Sequence, residues 1–570
     1  MDNICCRTSE KSSLKLGTVL TIIAVIASAM AVLFIIHTES DNSSAEVVGG
    51  GWCGQNAYYY IYSDGTLDIC GTGAMYDYSG FTHPPWYDSR DDITKIVISD
   101  GITQLGVSAF IGLKHVTELI IPIPLNSVVS DVSPAFAGCF NIEKISFTLG
   151  KDGCGYNYAA YCGSDSWYQN TPWYQSRDSL KEISFAYGTE YIGSDSFREL
   201  NITSLVIPDT VGSLGCHCFF NCTELTDLTI PISLNSVGNE TYPAFQGCVA
   251  VENVTFTRGN GVPYDYSRFW TSGIYDLAPW NLNGNIEKTI IISDDVPDLG
   301  VCMFYHCNIK DLTLPINSLN PRDSGRCAFL NPYKSLVSVT LTKGTGVGVD
   351  YKVFKSVFPW DNIPWNGAPN LKTFVIEEGV RYIGNYTFYG CHTEKLVLPN
   401  SLCEFDTCPF YAITVRDLTI PISLNAVWLD DYEAFYKVSG IEKITFTPGS
   451  GYGFDYAASK GSNAWYQLTP WYMCRDTLKE VVFDSGITYI GANIFAGYSF
   501  VGSDGEYLEH TSENLSGHLF CGTGGIMYLS DCTAEDQNPI EKTVLSISAD
   551  VGLGSPHKSI LMIGLGTKHL

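Results

Sequence analysis

Charged side chains are scarce in this 570-residue chain: they make up 16%, and only 33 are Lys or Arg against 60 Asp or Glu, for a net charge of −27. A nucleic-acid partner is excluded on that ground, because a phosphate backbone needs a basic footprint. The ten histidines are scattered and none holds a fixed place in any periodic pattern. No nucleophile elbow, HExxH pair or kinase-type signature occurs, and no pair of carboxylates stands out from the rest, so the chain does not read as an enzyme. Gly344-x-Gly346-x-Gly348 precedes no helical pattern and is no phosphate cradle. No cofactor is called for. What is abundant is apolar and aromatic material, 45% and 13% of residues. That is ample for a large core and argues against disorder.

Long apolar runs are absent but for one. Leu16 to Ile36 holds 21 residues without a charge, enough to span a hydrocarbon core of ~30 Å as one helix. Arg7, Lys11 and Lys15 precede it, and Glu39, Asp41 and Glu46 follow. The positive-inside rule therefore keeps the amino terminus cytoplasmic and sends everything after Ile36 outside. Ala27-Ser28-Ala29 offers the alternative of a cleaved signal peptide. The anchor is preferred because the apolar run continues seven residues past Ala29. Cys5 and Cys6 would lie on the inner side.

Beyond the anchor, short β-branched quartets recur: KIVI (95–98), ELII (118–121), KISF (144–147), EISF (182–185), SLVI (204–207), DLTI (227–230), NVTF (253–256), TIII (289–292), DLTL (311–314), SVTL (338–341), TFVI (373–376), KLVL (395–398), DLTI (417–420), KITF (443–446) and EVVF (480–483). The basic spacing is 22–23 residues, with a stretched unit of roughly 36 every third or fourth turn; a solenoid keeps such a clock and a compact domain does not. Within each quartet the second and fourth residues, such as Leu228 and Ile230, point inward and the first and third outward. A Pro often ends the strand (Pro122, Pro231, Pro315, Pro421). An Ile/Leu-Gly pair and an interior Phe follow, as in Leu105-Gly106 to Phe110, Ile192-Gly193 to Phe197 and Ile383-Gly384 to Phe388, with the Gly expected to supply turn conformation. The fifteen quartets are expected to form one continuous parallel sheet about 70 Å long at the usual strand spacing.

This pattern resembles the BspA-like leucine-rich repeat family of surface proteins, and the opening segment SDGTLDICGTGAMYDY (63–78) with Pro85-Trp86-Tyr87 fits it too. The resemblance covers roughly residues 51–500. It implies a repeat solenoid with a parallel β-sheet on one face and an irregular or short-helical convex side, preceded here by one transmembrane helix. It implies no ligand. The organisation expected is a cytoplasmic segment (1–15), a signal-anchor helix (16–36), a linker (37–50), a β-hairpin cap (51–92), the solenoid (93–495) and a C-terminal cap with an unassigned tail (496–570).

The stretched units open on a Thr-x-Gly turn (Gly150, Gly259, Gly344, Gly449) and end at Pro-Trp (Pro172-Trp173, Pro279-Trp280, Pro364-Trp365, Pro470-Trp471). The Trp itself reads as a plug of the coil. The aromatic residues within two of these loops, Tyr156, Tyr158, Tyr161, Trp167 and Tyr168, then Tyr452, Tyr456, Trp465 and Tyr466, are the candidate ligand contacts, since aromatics give large contact area at low entropy cost. The outward sheet face, lined by Thr229, Thr313, Thr340, Thr419 and Thr445, is the competing surface.

Cys139, Cys222, Cys248, Cys307 and Cys391 fall three residues after the interior Phe, a slot that holds Leu113, Leu200 or Val438 in other repeats. They therefore read as buried thiols, and a Ser at Cys222 would bury a hydroxyl with no obvious partner. Cys53 with Cys70, Cys154 with Cys162, and Cys403 with Cys408 are the candidate disulfides. Cys216-His217-Cys218 has too few donors for a closed metal site. Sequons at Asn42, Asn201, Asn221, Asn239, Asn253, Asn385 and Asn514 would accept N-glycans on an exported chain. The function expected is a membrane-anchored cell-surface protein that binds an extracellular protein or glycan and touches the bilayer through its N-terminal helix. A self-associating envelope component is the first alternative and a carbohydrate-active enzyme the second.

Overall fold

The structure, a computed structural model, describes residues 45–501 apart from short internal stretches, the longest at 159–166, 267–273, 319–327, 349–362 and 457–464, together with 543–548 and 559–562. The anchor segment 16–36, with Cys5, Cys6, Asn42 and Asn514, lies outside the described residues, and no described helix is long and apolar enough to cross a membrane. The chain divides into two units, residues 1–155 with 169–189, and residues 156–168 with 190–570.

In the first unit, β1 (Val47–Trp52), β2 (Ala57–Tyr62) and β3 (Thr66–Gly71) form an antiparallel meander. β4 (Lys95–Ile98), β5 (Glu118–Pro122), β6 (Lys144–Thr148) and β7 (Glu182–Phe185) then add in parallel, starting with Thr66 beside Lys95. In the second unit eleven quartet strands pair in parallel and in chain order: β8 (Ser204–Val206), β9 (Asp227–Pro231), β10 (Asn253–Thr257), β11 (Lys288–Ile292), β12 (Ile309–Pro315), β13 (Ser338–Thr342), β14 (Thr373–Ile376), β15 (His392–Val397), β16 (Thr414–Pro421), β17 (Lys443–Thr447) and β18 (Glu480–Phe483). Thr543–Ser548 runs antiparallel against β18. Both units are parallel-strand solenoids with little helix.

All fifteen quartets are strands, and the two DLTI quartets share a sheet, but the single continuous sheet is not what forms. Pairing stops after β7, and β8 opens a second sheet. The alternation of apolar and polar residues dictates which side chains face inward. It carries no information on whether the amides of one strand meet the carbonyls of the next, so the interruption was not readable from the quartets.

Inside each coil the second and fourth quartet residues are buried, as are the interior phenylalanines. The phenylalanines stack along the solenoid: Phe110 on Phe136 at 4.6 Å, Phe219 on Phe245 at 5.0 Å, Phe388 on Phe410 at 4.9 Å and Phe410 on Phe435 at 4.4 Å, all within 20° of parallel. Where the next coil also carries a Phe, the ring's own amide donates to the residue just before it, as Phe110 to Ala135 O (2.7 Å), Phe219 to Ala244 O (2.9 Å) and Phe410 to Ala434 O (3.0 Å). To turn between these bonds the backbone goes left-handed two residues after the Phe. Glycine takes that place at Gly112, Gly138, Gly247 and Gly390; Glu199, Asn221, His306, Ala412 and Lys437 take it elsewhere. The glycines before the Phe serve a different end from the one expected. At Gly106 and Gly193 a Cβ would sit within 2 Å of the carbonyl oxygens of Tyr76 and Tyr156, so they provide room for the backbone of a neighbouring segment rather than a left-handed turn.

The cysteine slot is interior throughout. Cys139, Cys222, Cys248, Cys307 and Cys391 are buried thiols in no disulfide. Burial pushes the thiol pKa of Cys139 and of Cys307 up to about 12. The slot also has a partner that the sequence did not reveal, a carbonyl one coil back: Cys139 Sγ donates to Phe110 O at 3.2 Å, Cys222 Sγ to Phe197 O at 3.2 Å, Cys248 Sγ to Phe219 O at 3.0 Å and Cys307 Sγ to Trp280 O at 3.7 Å. The expected penalty for Ser at Cys222 is revised accordingly.

Cys222→Ser retains an acceptor in Phe197 O, so it should stay folded and lose about 1 kcal/mol or less; a loss near ~3 kcal/mol in chemical denaturation would show that the shorter hydroxyl fails to reach. Ala412→Gly removes a Cβ held at a φ of 53° and should stabilise the chain by about 0.5–1 kcal/mol, the strain relieved being larger than the added chain entropy. Lys288, turned inward at the head of β11, is 1% exposed and its Nζ donates to Val251 O. Burial lowers its pKa from 10.5, opposed by Cys307 and Glu252. The unfolded chain therefore holds this proton more tightly, and stability rises as pH climbs toward 10.5. Lys288→Met should raise the melting temperature near neutral pH and lose that advantage above 10.5; an equal gap at both pH values would contradict the assignment.

Candidate functional site

The stretched units are built around their first turn. Gly150, Gly259, Gly344 and Gly449 all have φ between 46° and 60°. A Cβ at any of them would press on the strand-ending Pro122, Pro231, Pro315 or Pro421 at 2.8–3.1 Å, and closer still on a residue two places beyond it. Side chains two coils back pin three of these turns: Asp100 Oδ1 accepts the Gly150 amide (3.1 Å), Asp209 Oδ1 that of Gly259 (3.1 Å) and Asn400 Oδ1 that of Gly449 (2.7 Å). At the other end, Thr171 and Thr469 cap one-turn helices through the amides of Tyr174 and Tyr472, both at 3.3 Å, with Pro172 and Pro470 in the first turn. That is the position where a missing N–H costs nothing.

The Trp that follows is a core residue, as expected of a plug. Trp173, Trp280, Trp365 and Trp471 are buried, each edge-on to a quartet Phe: Phe147 at 5.2 Å, Phe256 at 4.9 Å, Phe374 at 4.9 Å and Phe446 at 5.1 Å. The indoles of Trp280, Trp365 and Trp471 donate to Met303 O (2.8 Å), Thr387 O (2.9 Å) and Ile494 O (2.6 Å), one coil ahead. Buried indole N–H groups need such acceptors.

The loop aromatics proposed as ligand contacts are mostly taken inside as well. Tyr158, Trp167, Tyr168 and Tyr456 are buried, at 4%, 8%, 7% and 1% exposure. Tyr456 OH accepts the Ala426 amide (3.1 Å) and donates to Leu424 O (3.2 Å), so it satisfies a turn of the neighbouring coil. Tyr266 does the same in its own loop, against Ser236. Tyr168 OH donates to Glu199 (3.1 Å) under the Arg198 guanidinium, which stands 4.6 Å from its ring. These four are corrected from ligand contacts to interior residues. The physical reason is length: a stretched unit must fill its own added volume, and Tyr does so while bringing a hydroxyl to otherwise orphaned turn amides. Tyr156 and Tyr466 are half-buried, the latter against Tyr472 at 5.4 Å. Tyr161, Tyr452 and the Trp465 side chain lie outside the described residues.

That leaves the outward sheet face. Its first-position side chains are matched by charge from strand to strand: Lys95 with Glu118 (3.1 Å), Lys144 with Glu182 (3.3 Å) and Lys443 with Glu480 (2.6 Å). Where a carboxylate has no cation opposite, a neutral donor meets it, as Asn253 Nδ2 to Asp227 (2.9 Å) and Ser338 Oγ to Asp311 (2.5 Å). The third position is a rank of half-exposed β-branched residues in register, Thr229 beside Thr255, Thr313 beside Thr340 and Thr419 beside Thr445. The face is held in register and rich in hydroxyls, with Asp227 and Asp311 met by uncharged partners.

Of the disulfide candidates, Cys53 and Cys70 are thiols, burial lifting the pKa of each to about 11. Cys403 is an exposed thiol whose Sγ donates to Arg381 O (3.3 Å), while Cys408 is a buried thiol, so this pair is not bonded. Cys162 lies outside the described residues. His217, between Cys216 and Cys218, has a left-handed backbone, and its Nε2 meets Gln246 Oε1 at 2.9 Å. Among the sequons, Asn201, Asn221, Asn239 and Asn253 are exposed, but Asn385 is buried at 1% and has no room for a glycan in the folded chain. The Cys521–Tyr528 echo of the first hairpin lies outside the described residues.

The model of the BspA type leucine rich repeat region matches residues 86–164, 171–268, 282–357 and 364–460, in six copies. Among solved structures, the chain is similar to a leucine-rich repeat protein from Eubacterium ventriosum, at 15% identity over 73% of this chain and 99% of that one, with a TM-score of 0.22. A leucine-rich repeat protein from Bacteroides ovatus matches at 13% identity over 70% and 99%, with a TM-score of 0.20. The pneumococcal vaccine antigen PcpA matches at 13% identity over 70% and 88%, with a TM-score of 0.16. No curated protein matches the chain. With more than half of its length matched by the repeat model, the chain belongs to the BspA-type leucine-rich repeat family.

Proposed function

We propose that this is a cell-surface binding protein, held at the membrane by Leu16–Ile36 and presenting its repeat sheet outward to an extracellular protein or glycan. The observation that carries the reading is the outward sheet face. It displays side chains in fixed register on a hydrogen-bonded scaffold, and many of its polar groups are tied to a neighbour on the next strand, so little reorganisation is needed to meet a partner. No step of a reaction is supported: the titratable groups on that face are spread along it rather than gathered. Self-association of an envelope component is the second reading, since a flat hydroxyl-rich face can also meet its own copy.

The test uses the purified full chain against a panel of extracellular-matrix proteins and polysaccharides, with sizing of the same sample. A monomer that captures at least one panel member supports the binding reading. Thr313→Lys with Thr340→Lys, which places two charges on neighbouring strands, should cut capture of a protein partner at least tenfold without lowering the melting temperature. A chain that forms large assemblies and captures nothing would favour self-association instead.

A further inference from the structure

The outward face of the first sheet changes character at its amino-terminal end. On β4 to β7 its side chains are Lys95, Val97, Glu118, Ile120, Lys144, Ser146, Glu182 and Ser184, with no aromatic among them. On the β1–β2 hairpin it is almost wholly aromatic. Alternation along β2 sends Ala57, Tyr59 and Ile61 inward and Tyr58, Tyr60 and Tyr62 outward, and pairing sets Trp52 beside Tyr58. Tyr59 has a structural task, packing on Trp86 at 5.1 Å. The outward four do not: their ring contacts are with one another, at 6.0 Å for Trp52–Tyr58, 5.6 Å for Tyr58–Tyr60 and 6.5 Å for Tyr60–Tyr62. Trp52 is 68% exposed and Tyr60 38%.

The strand beside them is shaped to keep the rings low. A Cβ on Gly50 would stand 3.0 Å from the Tyr60 ring, tighter than ordinary contact, so glycine lets that ring lie across β1. Asp68 sits directly opposite Tyr60 on β3 and provides a carboxylate at the margin of the strip. Residues 45–71 contain no Lys or Arg. The nearest outward cation, Lys95, is held by Glu118 at 3.1 Å.

We infer that Trp52, Tyr58, Tyr60 and Tyr62, with Asp68, form a platform for a neutral polysaccharide. The assignment rests on the surface-binding reading above and gives it a site and a ligand class. Aromatic rings offer apolar surface to the C–H faces of sugars, and the carboxylate accepts from their hydroxyls. Charge decides against anionic chains, which Glu46, Asp64 and Asp68 would repel with no cation to offset them. Three successive ring gaps make a strip rather than a cage, which suits an extended polymer better than a single cationic group. The contacts are few and exposed, so each is weak, and a repeating ligand that engages several rings at once is favoured over a monosaccharide.

The experiment measures binding of the full chain to immobilised laminarin, mannan and galactan as neutral probes, heparin as an anionic probe and poly-lysine as a cationic one. At least one neutral probe should bind, with little dependence on salt, and Trp52→Ala with Tyr60→Ala should weaken it at least tenfold while the melting temperature holds. Gly50→Val, which lifts the Tyr60 ring, should weaken it as well, and Tyr436→Ala, at an exposed aromatic in the second unit, should not. Neutral binding that survives the double variant would overturn the site while leaving the surface-binding reading intact. Binding to poly-lysine alone, abolished by salt, would replace the glycan by a cationic peptide and overturn the ligand class. Binding to none of the five probes would refute the platform, and the matrix-protein panel would then decide the broader reading separately.

Discussion

Much in the two solenoids depends on how the phenylalanine of each unstretched coil is fixed. Its ring stacks on the ring of the next coil, and its amide donates to the carbonyl just ahead of that ring. The two contacts act together. Stacking sets the distance between coils from inside, and the hydrogen bond sets the same distance along the wall opposite the sheet. Neither face of the coil can then slide against its neighbour without breaking the other. The left-handed residue two places on follows from this, because the chain must reverse between two forward-pointing amides, and it does so even where the residue there is Glu199, Asn221 or Ala412. The strain accepted at those sites, about 1–3 kcal/mol each, measures how strongly the surrounding bonds determine the backbone.

The stretched units are the same coil with more to enclose. Their length looked like surface loop, and the density of Tyr and Trp looked like a binding surface. In the structure that density meets an internal need. Each added segment brings volume to be filled and turn amides to be satisfied, and Tyr266 and Tyr456 answer both with one side chain. The sheet face, which has few large side chains, is by contrast left free for contact. The hairpin at the amino-terminal end of the first sheet is where large side chains and exposure coincide.

Much of this was legible in the sequence. A period-2 quartet repeated fifteen times leaves little freedom over which residues are inside, and the shared use of Cys, Leu and Val three places after the Phe identified that slot as apolar. The slot's hydrogen bond was not legible, because the acceptor at Phe197 for Cys222 is a backbone atom 25 residues away. Nor was the break between β7 and β8, since side-chain alternation does not report on backbone pairing. The loop aromatics misled for a related reason: Tyr is amphipathic, and composition alone does not say whether its hydroxyl serves a ligand or a neighbouring turn. Trp52 and the outward tyrosines of β2 were readable in principle. Their alternation with Ala57, Tyr59 and Ile61 is plain, but they lie before the first quartet, where the repeat draws no attention.

The cysteine slot has a consequence for how such a chain responds to thiol reagents. Disulfide exchange needs a thiolate and access to it; all five thiols are buried out of reach, and at Cys139, Cys307 and Cys391 burial also favours the protonated form. Oxidants and alkylating reagents can therefore touch Cys139 or Cys222 only in the moments when its own coil opens. Because the slot recurs at Cys139, Cys222, Cys248, Cys307 and Cys391, the chain carries a graded series of chemical clocks along its length. The order in which they react would give the local opening free energy of each stretch of the array, read from one intact protein without any introduced label.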